Sequence, residues 1–468
     1  VNGIVRYTRG DAQSGWSLTG MGYRGTWNST DQVPQRAIAD GLIGRYDNLD
    51  DTLGGDTSRV SGSFEWQRAQ PNVSTKFIAY GIGYSLNLFS NFTYFLDDPE
   101  NGDQFKQVDD RFVTGAKISQ RRASRLWGRP MQNTIGAQLR HDNIGTIGLY
   151  HTRRREVIDT VRQDAVKQTS VSGYAQNETA WSPWLRTLAG LRVDGYHFNV
   201  DAGDPANGGA LNSGIVSPKA GAVLGPWQGT EFYVNTGYGF HSNDARGATI
   251  TRDPKTGDPA DPVTPLVRAV GSEVGARTVA IPHLQSSVSL WTLGLASELL
   301  FVGDAGATEA TRPSRRWGVE FTNYYSPLRW LTFDADVAWS RARFTDDDPA
   351  GRFIPGAVNT VMAAGVAVDS VKNVFGSVRL RYFGPRPLIE DDSAQSKGTR
   401  LVNLQAGYQF SPRIRLLVDA FNIFDAQASD IDYFYASRLP GEPDGGVDDI
   451  HFHPTLPRTA RVNLVVSF

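Results

Sequence analysis

The side chains best suited to bind a ligand are concentrated in one segment near the carboxyl end of the sequence, residues 430–454. This segment combines phenol, guanidinium, carboxylate and imidazole groups: Tyr433, Tyr435, Arg438, Asp448, Asp449, His451 and His453. His451 and His453 are two residues apart, so on an extended strand both imidazoles lie on one face. Together with Asp449 they offer nitrogen and oxygen ligands to a metal ion or a metal chelate.

A structural role is the alternative for the two histidines, and it is the one we favour. The same segment contains SRLPGEP, in which proline and glycine occupy typical turn positions. Hydrogen bonds from His451 and His453 to this turn would hold the segment as a folded loop. We therefore expect no metal site built from protein side chains alone, and no cofactor.

Two other segments carry charged side chains that suit ligand contact. GFHSNDARG contains His241, Asp244 and Arg246, which either meet a ligand or form a capping network where a strand enters its loop. The other segment, RYFGPRPLIEDD, contributes three further candidates: Arg381, Arg386 and Asp391. Its arginines can grip a carboxylate or phosphate in bidentate fashion, or they can pair with neighbouring acidic side chains.

The composition excludes several classes of protein. The formal net charge of −2 gives no bulk attraction to nucleic acid, and the absence of cysteine excludes disulfides and thiolate metal sites. The sequence lacks a G-x-S-x-G elbow, a Walker loop and an H-E-x-x-H motif, so we expect no enzymatic activity. A secreted glycan-active enzyme remains a distant alternative, because acidic clusters such as FTDDDPAG resemble a glycosidase carboxylate pair.

Strands must position the candidate residues, because alternation with a period of two recurs along the chain without helical signals between. In LTFDADVAWSRARF, for example, Leu331, Phe333, Val337 and Trp339 share one face. Many such segments exceed the usual length of about five or six residues in soluble proteins. Their apolar faces often end in Trp or Tyr, as strands that cross an outer membrane do. A soluble sandwich also alternates, so the connections must decide.

The connections between strands alternate in length. About 19 strands are joined by short links, such as 69–72 and 181–183, and by long links, such as 154–164 and 425–456. Short turns on one side and long loops on the other are typical of an outer-membrane barrel. The sequence therefore predicts an all-β chain in which residues 1–468 form one transmembrane antiparallel β-barrel domain, with the candidate residues near its loop end.

Several motifs, in this order, resemble those of one family, the TonB-dependent outer-membrane receptors. They are YVNTGYGFHSNDARG at 233–247, SEVGART at 272–278, RRWGVEF at 315–321, NIFD at 422–425 and the terminal LVVSF. The resemblance implies a barrel of the 22-stranded type in the outer membrane of a Gram-negative bacterium. It also implies that the protein binds an iron-siderophore or another large nutrient and imports it with energy transmitted by TonB.

The family carries an N-terminal plug domain and a peptide that engages TonB, and neither is visible in this sequence. We therefore expect that the plug and the first three strands are missing, and that TonB acts through the missing region. The resemblance also implies three other partners: outer-membrane lipid, a small-molecule or metal-chelate ligand, and the outer-membrane assembly machinery, which would recognise Phe468. A passive pore or an adhesin without energy coupling is the alternative function.

Overall fold

The computed structural model describes residues 1–11, 13–29, 32–302, 307–310 and 312–467, and strands dominate it. The strands are β1 (Asn2–Gly10), β2 (Ser14–Asn28), β3 (Val33–Pro34), β4 (Gly54–Gln70), β5 (Val73–Ser90), β6 (Phe105–Leu126), β7 (Arg129–Arg153), β8 (Glu156–Ser182), β9 (Leu185–Ala202), β10 (Gly209–Trp227), β11 (Thr230–Ser242), β12 (Leu266–Thr278), β13 (Leu284–Leu295), β14 (Leu299–Val302), β15 (Ala307–Ala310), β16 (Ser314–Leu328), β17 (Leu331–Phe344), β18 (Thr360–Val371), β19 (Val374–Phe383), β20 (Thr399–Ser411), β21 (Ile414–Phe421), β22 (Ser429–Ser437), β23 (Val447–Pro454) and β24 (Thr459–Val466).

Within the residues that the structure describes, helical structure is limited to short segments in the loops. They are α1 (Gln35–Ala39), α2 (Ala245–Ala248) and one 3-10 turn (Pro205–Asn207). None of the helices in the described ranges is long and apolar enough to cross a membrane.

One antiparallel sheet contains 19 of the strands, and each strand in it pairs with the next sheet strand along the chain. The remaining strands form two small sheets in the loops, a β14–β15 hairpin and a three-stranded sheet of β3, β22 and β23. Within the described residues no ladder joins β1 to β24. The predicted all-β architecture and the strand number are confirmed.

Short turns connect the strands at one end of the sheet and longer loops connect most of them at the other. Residues 127–128 form the turn between β6 and β7, for example, whereas residues 91–104 separate β5 from β6. The longest loop in the second half of the chain, residues 422–458, leads from β21 to β24 and contains β22 and β23. The alternation that the sequence predicts is therefore present around most of the sheet.

The long link predicted at 154–164 is wrong. Two residues, Arg154 and Arg155, join β7 to β8, and both have positive φ, 49° and 70°. This is the backbone conformation that a tight type I′ hairpin turn requires. Residues 153–160 are all exposed, so both faces of this projecting hairpin meet water and its sequence loses the apolar alternation that marks a strand.

Apolar side chains cover the outside of the large sheet. Val274, Leu290 and Val319 are successive partners in the register of β12, β13 and β16, and Val274 and Leu290 are 52% and 53% exposed. The opposite face carries polar groups, such as the Asp334–Arg379 ion pair, in which Arg379 Nη1 lies 2.9 Å from Asp334 Oδ2. A soluble sandwich would bury the apolar face. Its exposure is the arrangement of a barrel that contacts lipid.

Aromatic side chains mark both edges of this apolar band. At the loop end, the rings of Trp317 and Trp339 lie 5.0 Å apart in an edge-to-face arrangement. At the turn end, the rings of Trp184 and Trp227 stack at 6.4 Å, and both side chains are 48% exposed. Aromatic girdles at the two membrane interfaces have this distribution.

Candidate functional site

Two distant loops meet at the loop end of the sheet. β22 and β23 form a hairpin, and β3, from the loop after β2, adds to its edge. In this register His451 lies opposite Pro34 and Phe452 lies opposite Val33. We call the three strands the mouth sheet. Because β2 and β24 are near opposite ends of the 19-stranded meander, the contact requires the large sheet to curve until its ends approach each other.

Arg36, at the start of α1, is the main polar connection within the mouth sheet. Its Nε donates to Glu442 Oε1 at 2.7 Å, and its Nη2 donates to Glu442 Oε2 at 2.9 Å and to Ser437 Oγ at 2.9 Å. Its backbone N–H donates to Asp449 Oδ2 at 2.8 Å. The bidentate hydrogen bond from Arg36 holds the pKa of Glu442 below its ordinary value, although partial burial opposes this.

His451 is fully buried in the mouth sheet. Its ring stacks on Tyr435 with centroids 3.8 Å apart, and its Nε2 lies 2.7 Å from Ser437 Oγ. Burial, more than any other cause, lowers the pKa of His451 to about 3, and the charge of Arg36 acts in the same direction. The imidazole is therefore neutral at physiological pH. Ser437 is the first residue of the SRLPGEP segment, so this contact is the one expected if His451 has a structural role.

The other candidates in this loop differ in accessibility. Tyr435 donates its hydroxyl to Gln32 Oε1 at 2.8 Å, and Arg438 donates to Asp444 Oδ1 at 2.6 Å. Tyr433 is 38% exposed, and His453 is partly exposed, with Nδ1 at 3.7 Å from Asp430 Oδ2. The two histidines, which the sequence places on one face, thus have different environments.

The loop after β11 folds around an ion pair. Arg246 Nη2 donates to Asp244 Oδ2 at 2.7 Å, and Asp244 Oδ1 accepts the backbone N–H of Arg246 at 2.9 Å, which caps α2. Burial would raise the pKa of Asp244, but the charge and hydrogen bonds of Arg246 hold it below its usual value. The buried pair Arg162–Asp164 on β8 lies alongside. These contacts form the capping network that the sequence offers as the alternative to ligand contact.

His241 lies on β11 just before this network. Its Nε2 is buried and has no hydrogen-bond partner among the described residues. In β11 the exposed apolar residues Phe232, Val234 and Tyr238 mark the outward face. His241 has the opposite parity and therefore faces the interior of the sheet.

The candidates in the third segment, RYFGPRPLIEDD, occupy both internal and solvent-exposed positions. Arg386 donates to Asp432 Oδ2 at 2.9 Å, which ties the loop after β19 to β22. Asp391 is exposed, and hydrogen bonding from the backbone N–H of Ser393 lowers its pKa. Arg381 is exposed on β19, on the face opposite the outward Val378, and no carboxylate of the described residues lies within ion-pair distance of it.

A cleft of about 630 Å³ lies between the loop after β5, the ends of β6, β7 and β8, and the tip of the loop after β11. The ionisable residues of its lining are mainly acidic, Asp97, Asp98, Glu100, Asp103 and Asp159, with His151 and Lys255 as the basic groups. The Nζ of Lys255 lies 2.6 Å from Asp97 Oδ2 and so connects two loops across the cleft.

Metal coordination by side chains alone finds no support in the described part of the chain. No group of three or more His, Cys, Asp or Glu side chains there is arranged to hold a metal ion. Binding of a metal within its own chelator is a separate matter, because the chelator then supplies the ligands.

A family model described as TonB dependent receptor-like, beta-barrel matches residues 2–423. The chain belongs to this family. The receptor is thus an outer-membrane protein of the Gram-negative type, and the sheet and girdles above form its transmembrane barrel. No curated protein matches the sequence with statistical significance.

Solved structures of the same fold include several transporters and receptors. The ferric citrate transporter FecA in its unliganded form is 14% identical, with a TM-score of 0.78, and the match covers 100% of this chain and 70% of that one. The ferric yersiniabactin uptake receptor FyuA from Yersinia pestis is 13% identical, with a TM-score of 0.76 and the same coverages. The copper transporter OprC is 15% identical, with a TM-score of 0.73, and the match covers 100% of this chain and 72% of that one.

The receptor brings together some of the predicted residues and separates others. Tyr435 and His451 stack in the mouth sheet, and Arg386 reaches its edge through Asp432. Asp244 and Arg246 pair at α2, and His241 lies just before them on β11 without a contact to either, within the described part of the chain, that would make it part of their network. Sequence reasoning missed Arg36 as the connection between loops, and it missed the acidic cleft. The run FLDDPENGD was the available signal for the cleft, since it places four carboxylates beside a turn. Phe468 lies outside the described residues.

Proposed function

We propose that the receptor binds a scarce ligand at its loop end and imports it to the periplasm with energy transmitted by TonB. The observation that carries this proposal is the family match across residues 2–423, together with a sheet whose outer face is apolar and two of whose loops meet in the mouth sheet. In this proposal TonB acts through a plug domain and a TonB-engaging peptide of the kind that the family carries. The receptor performs no covalent chemistry in this proposal.

The ligand contacts that we propose are four accessible candidates, Tyr433, His453, Asp391 and Arg381, together with the partly buried His241. Tyr433 is more than one-third exposed, and Asp391 and Arg381 are open to solvent. His241 contributes a buried Nε2 without a partner among the described residues, which a ligand would satisfy. The more internal candidates, His451, Tyr435, Arg438, Arg386, Asp244 and Arg246, hold the loops in place and so shape the site.

The ligand class that we propose is an iron-siderophore or another large nutrient. Structures with the same fold carry names that include ferric citrate, ferric yersiniabactin and copper. A metal held by its own chelator also agrees with the lack of a metal-ligand group in the described part of the chain. We further propose that the assembly machinery of the outer membrane recognises Phe468.

Direct binding tests this proposal. The complete product of the gene is purified in detergent and titrated with a panel of ferric siderophores, ferric citrate, copper ions and cobalamin, with tryptophan fluorescence as the readout. Binding of one compound, weakened about tenfold by Tyr433→Ala or His241→Ala, supports the proposal. Val337→Ala, on the lipid-facing side, is the matched control and leaves affinity unchanged.

The outcome against the proposal is equally specific. If no compound binds and the purified protein conducts ions continuously in a planar bilayer, the protein is a passive pore. If it binds none and instead attaches to cells or surfaces, it is an adhesin.

A further inference from the structure

Three arginines lie together on the outward face of the barrel. Arg315 on β16 is directly opposite Arg343 on β17, and Arg341 is directly opposite Trp317. Since side chains of a strand alternate between faces, all three share the face of Trp317 and Trp339, which are 43% and 41% exposed. The guanidinium groups therefore project toward the membrane and not toward the lumen.

The height of these arginines follows from the aromatic girdle. Trp317 and Trp339 belong to the girdle at the loop end, and such aromatic side chains lie at the level of the lipid headgroups. Arg341 follows Trp339 by two residues, and Arg315 precedes Trp317 by two, in both cases toward the loops. The three guanidiniums thus lie at the headgroups or just above them, on the outer side.

Like charges directly opposite one another destabilise an antiparallel pair, so Arg315 and Arg343 need a counter-charge. Neighbouring arginines have one: Arg312 pairs with Asp346, and Arg316 pairs with Glu298. Within the described ranges, no ion pair is found for Arg315, Arg341 or Arg343. The guanidinium of Arg343 instead lies 3.7 Å from the centroid of the Phe353 ring.

A cavity of about 200 Å³ lies beside these arginines. Trp339 forms part of its lining, together with Arg341, Arg343 and Arg386, and Asp392 is the one carboxylate among the described residues that line it. Arg386 is already paired with Asp432. The cavity therefore keeps a positive charge from Arg341 and Arg343 that a single carboxylate does not balance.

We propose that Arg315, Arg341 and Arg343 bind the phosphate group of a lipid headgroup in the outer leaflet. Charge complementarity is the first reason, since an anionic phosphate removes the repulsion between Arg315 and Arg343. Geometry is the second, because the planar guanidinium matches two phosphate oxygens at once. The indoles of Trp317 and Trp339, directly below, contact the apolar part of the same lipid.

Native mass spectrometry of the complete receptor in detergent tests this site. The receptor is titrated with phosphatidic acid, with diacylglycerol of the same chains, and with inorganic phosphate. We expect retention of phosphatidic acid alone. The triple variant R315Q/R341Q/R343Q should bind it about 100-fold more weakly, from roughly a factor of five per arginine. The matched control R24Q/R268Q/R400Q removes three exposed arginines from separate strands and should retain binding within about twofold.

Several results would overturn the proposal. Equal binding of diacylglycerol, equal loss in the control, or undiminished binding by the triple variant each contradicts a phosphate site at these arginines. Binding of inorganic phosphate as tight as that of phosphatidic acid would assign the site to a free anion. If the triple variant fails to show heat-modifiable gel mobility, the single variant R341Q is used, with an expected loss of about fivefold.

Discussion

Arg36 and Glu442 form a bidentate ion pair although 406 positions separate them in the chain. Arg36 follows β2, the second strand of the barrel. Glu442 lies between β22 and β23, in the loop that precedes β24, the last barrel strand. The contact therefore joins loops from the two ends of the 19-stranded sheet. The mouth sheet of the receptor is a folded unit held by specific side chains, and two of the proposed ligand contacts, Tyr433 on β22 and His453 on β23, lie on it.

Removing this connection should loosen the mouth sheet and leave the barrel intact. The Arg36 and Glu442 side chains are only 14% and 21% exposed, and Arg36→Met leaves two carboxylates, Glu442 and Asp449, without their cation. We expect a local loss of about 2–3 kcal/mol, because breaking a mostly buried pair strands the remaining charge. Hydrogen exchange of β3, β22 and β23 amides measures this loss.

The control for Arg36→Met is Arg352→Met, which breaks the exposed ion pair with Asp347. Those two side chains are 55% and 88% exposed, so the expected change is below about 0.5 kcal/mol. Unchanged exchange in the mouth sheet of Arg36→Met would show that the sheet does not depend on the cation at Arg36.

Acid should open the mouth sheet. In the folded mouth sheet, His451 has a pKa of about 3 and stays neutral. When the loop is open, the imidazole of His451 is protonated below its ordinary pKa of 6.5. Stability from this residue is therefore fully present above pH 6.5 and falls by up to about 1.4 kcal/mol per pH unit between pH 6.5 and 3. The lowered pKa of Glu442 adds a loss of the same sign at the acidic end.

Hydrogen exchange of the mouth sheet as a function of pH, corrected for intrinsic exchange, measures this effect. His451→Gln should flatten the dependence between pH 6.5 and about 5, since glutamine does not titrate. His453→Gln is the matched control, because it changes a partly exposed histidine on the same strand. A slope that persists in His451→Gln, or disappears in His453→Gln, would contradict the assignment.

Local patterns were sufficient to predict the barrel but not its mouth. Apolar and polar residues alternate in segments such as 331–344, because every outward side chain in the apolar band contacts lipid. The β7–β8 hairpin was missed since its tip meets water on both faces, and the sequence there carries no such constraint. The role of Arg36 depends on contacts with residues far away in the chain, which no local pattern encodes. For the cleft, the sequence shows only the acidic run FLDDPENGD, because the other walls come from distant strands and loops.

The two faces of the barrel should respond differently to the same substitution. Val337 and Ala338 are neighbours on β17, and Val337 shares the outward face with Trp339 while Ala338 lies opposite Glu320 on the inner face. Val337→Arg should cost about 2–4 kcal/mol, because it places a charge in the apolar band. Ala338→Arg should change stability by less than about 1 kcal/mol. Urea unfolding in lipid vesicles compares them; equal costs would mean that the faces are assigned incorrectly.

Uptake in living cells tests the central claim most directly. A strain that makes the complete product of the gene is supplied with the radiolabelled compound identified by the binding screen, with and without functional TonB. The account predicts accumulation inside the cell only when both the receptor and TonB are present, and reduced accumulation for Tyr433→Ala. Uptake that is equally fast without TonB would contradict energised transport and would leave a passive pore as the function.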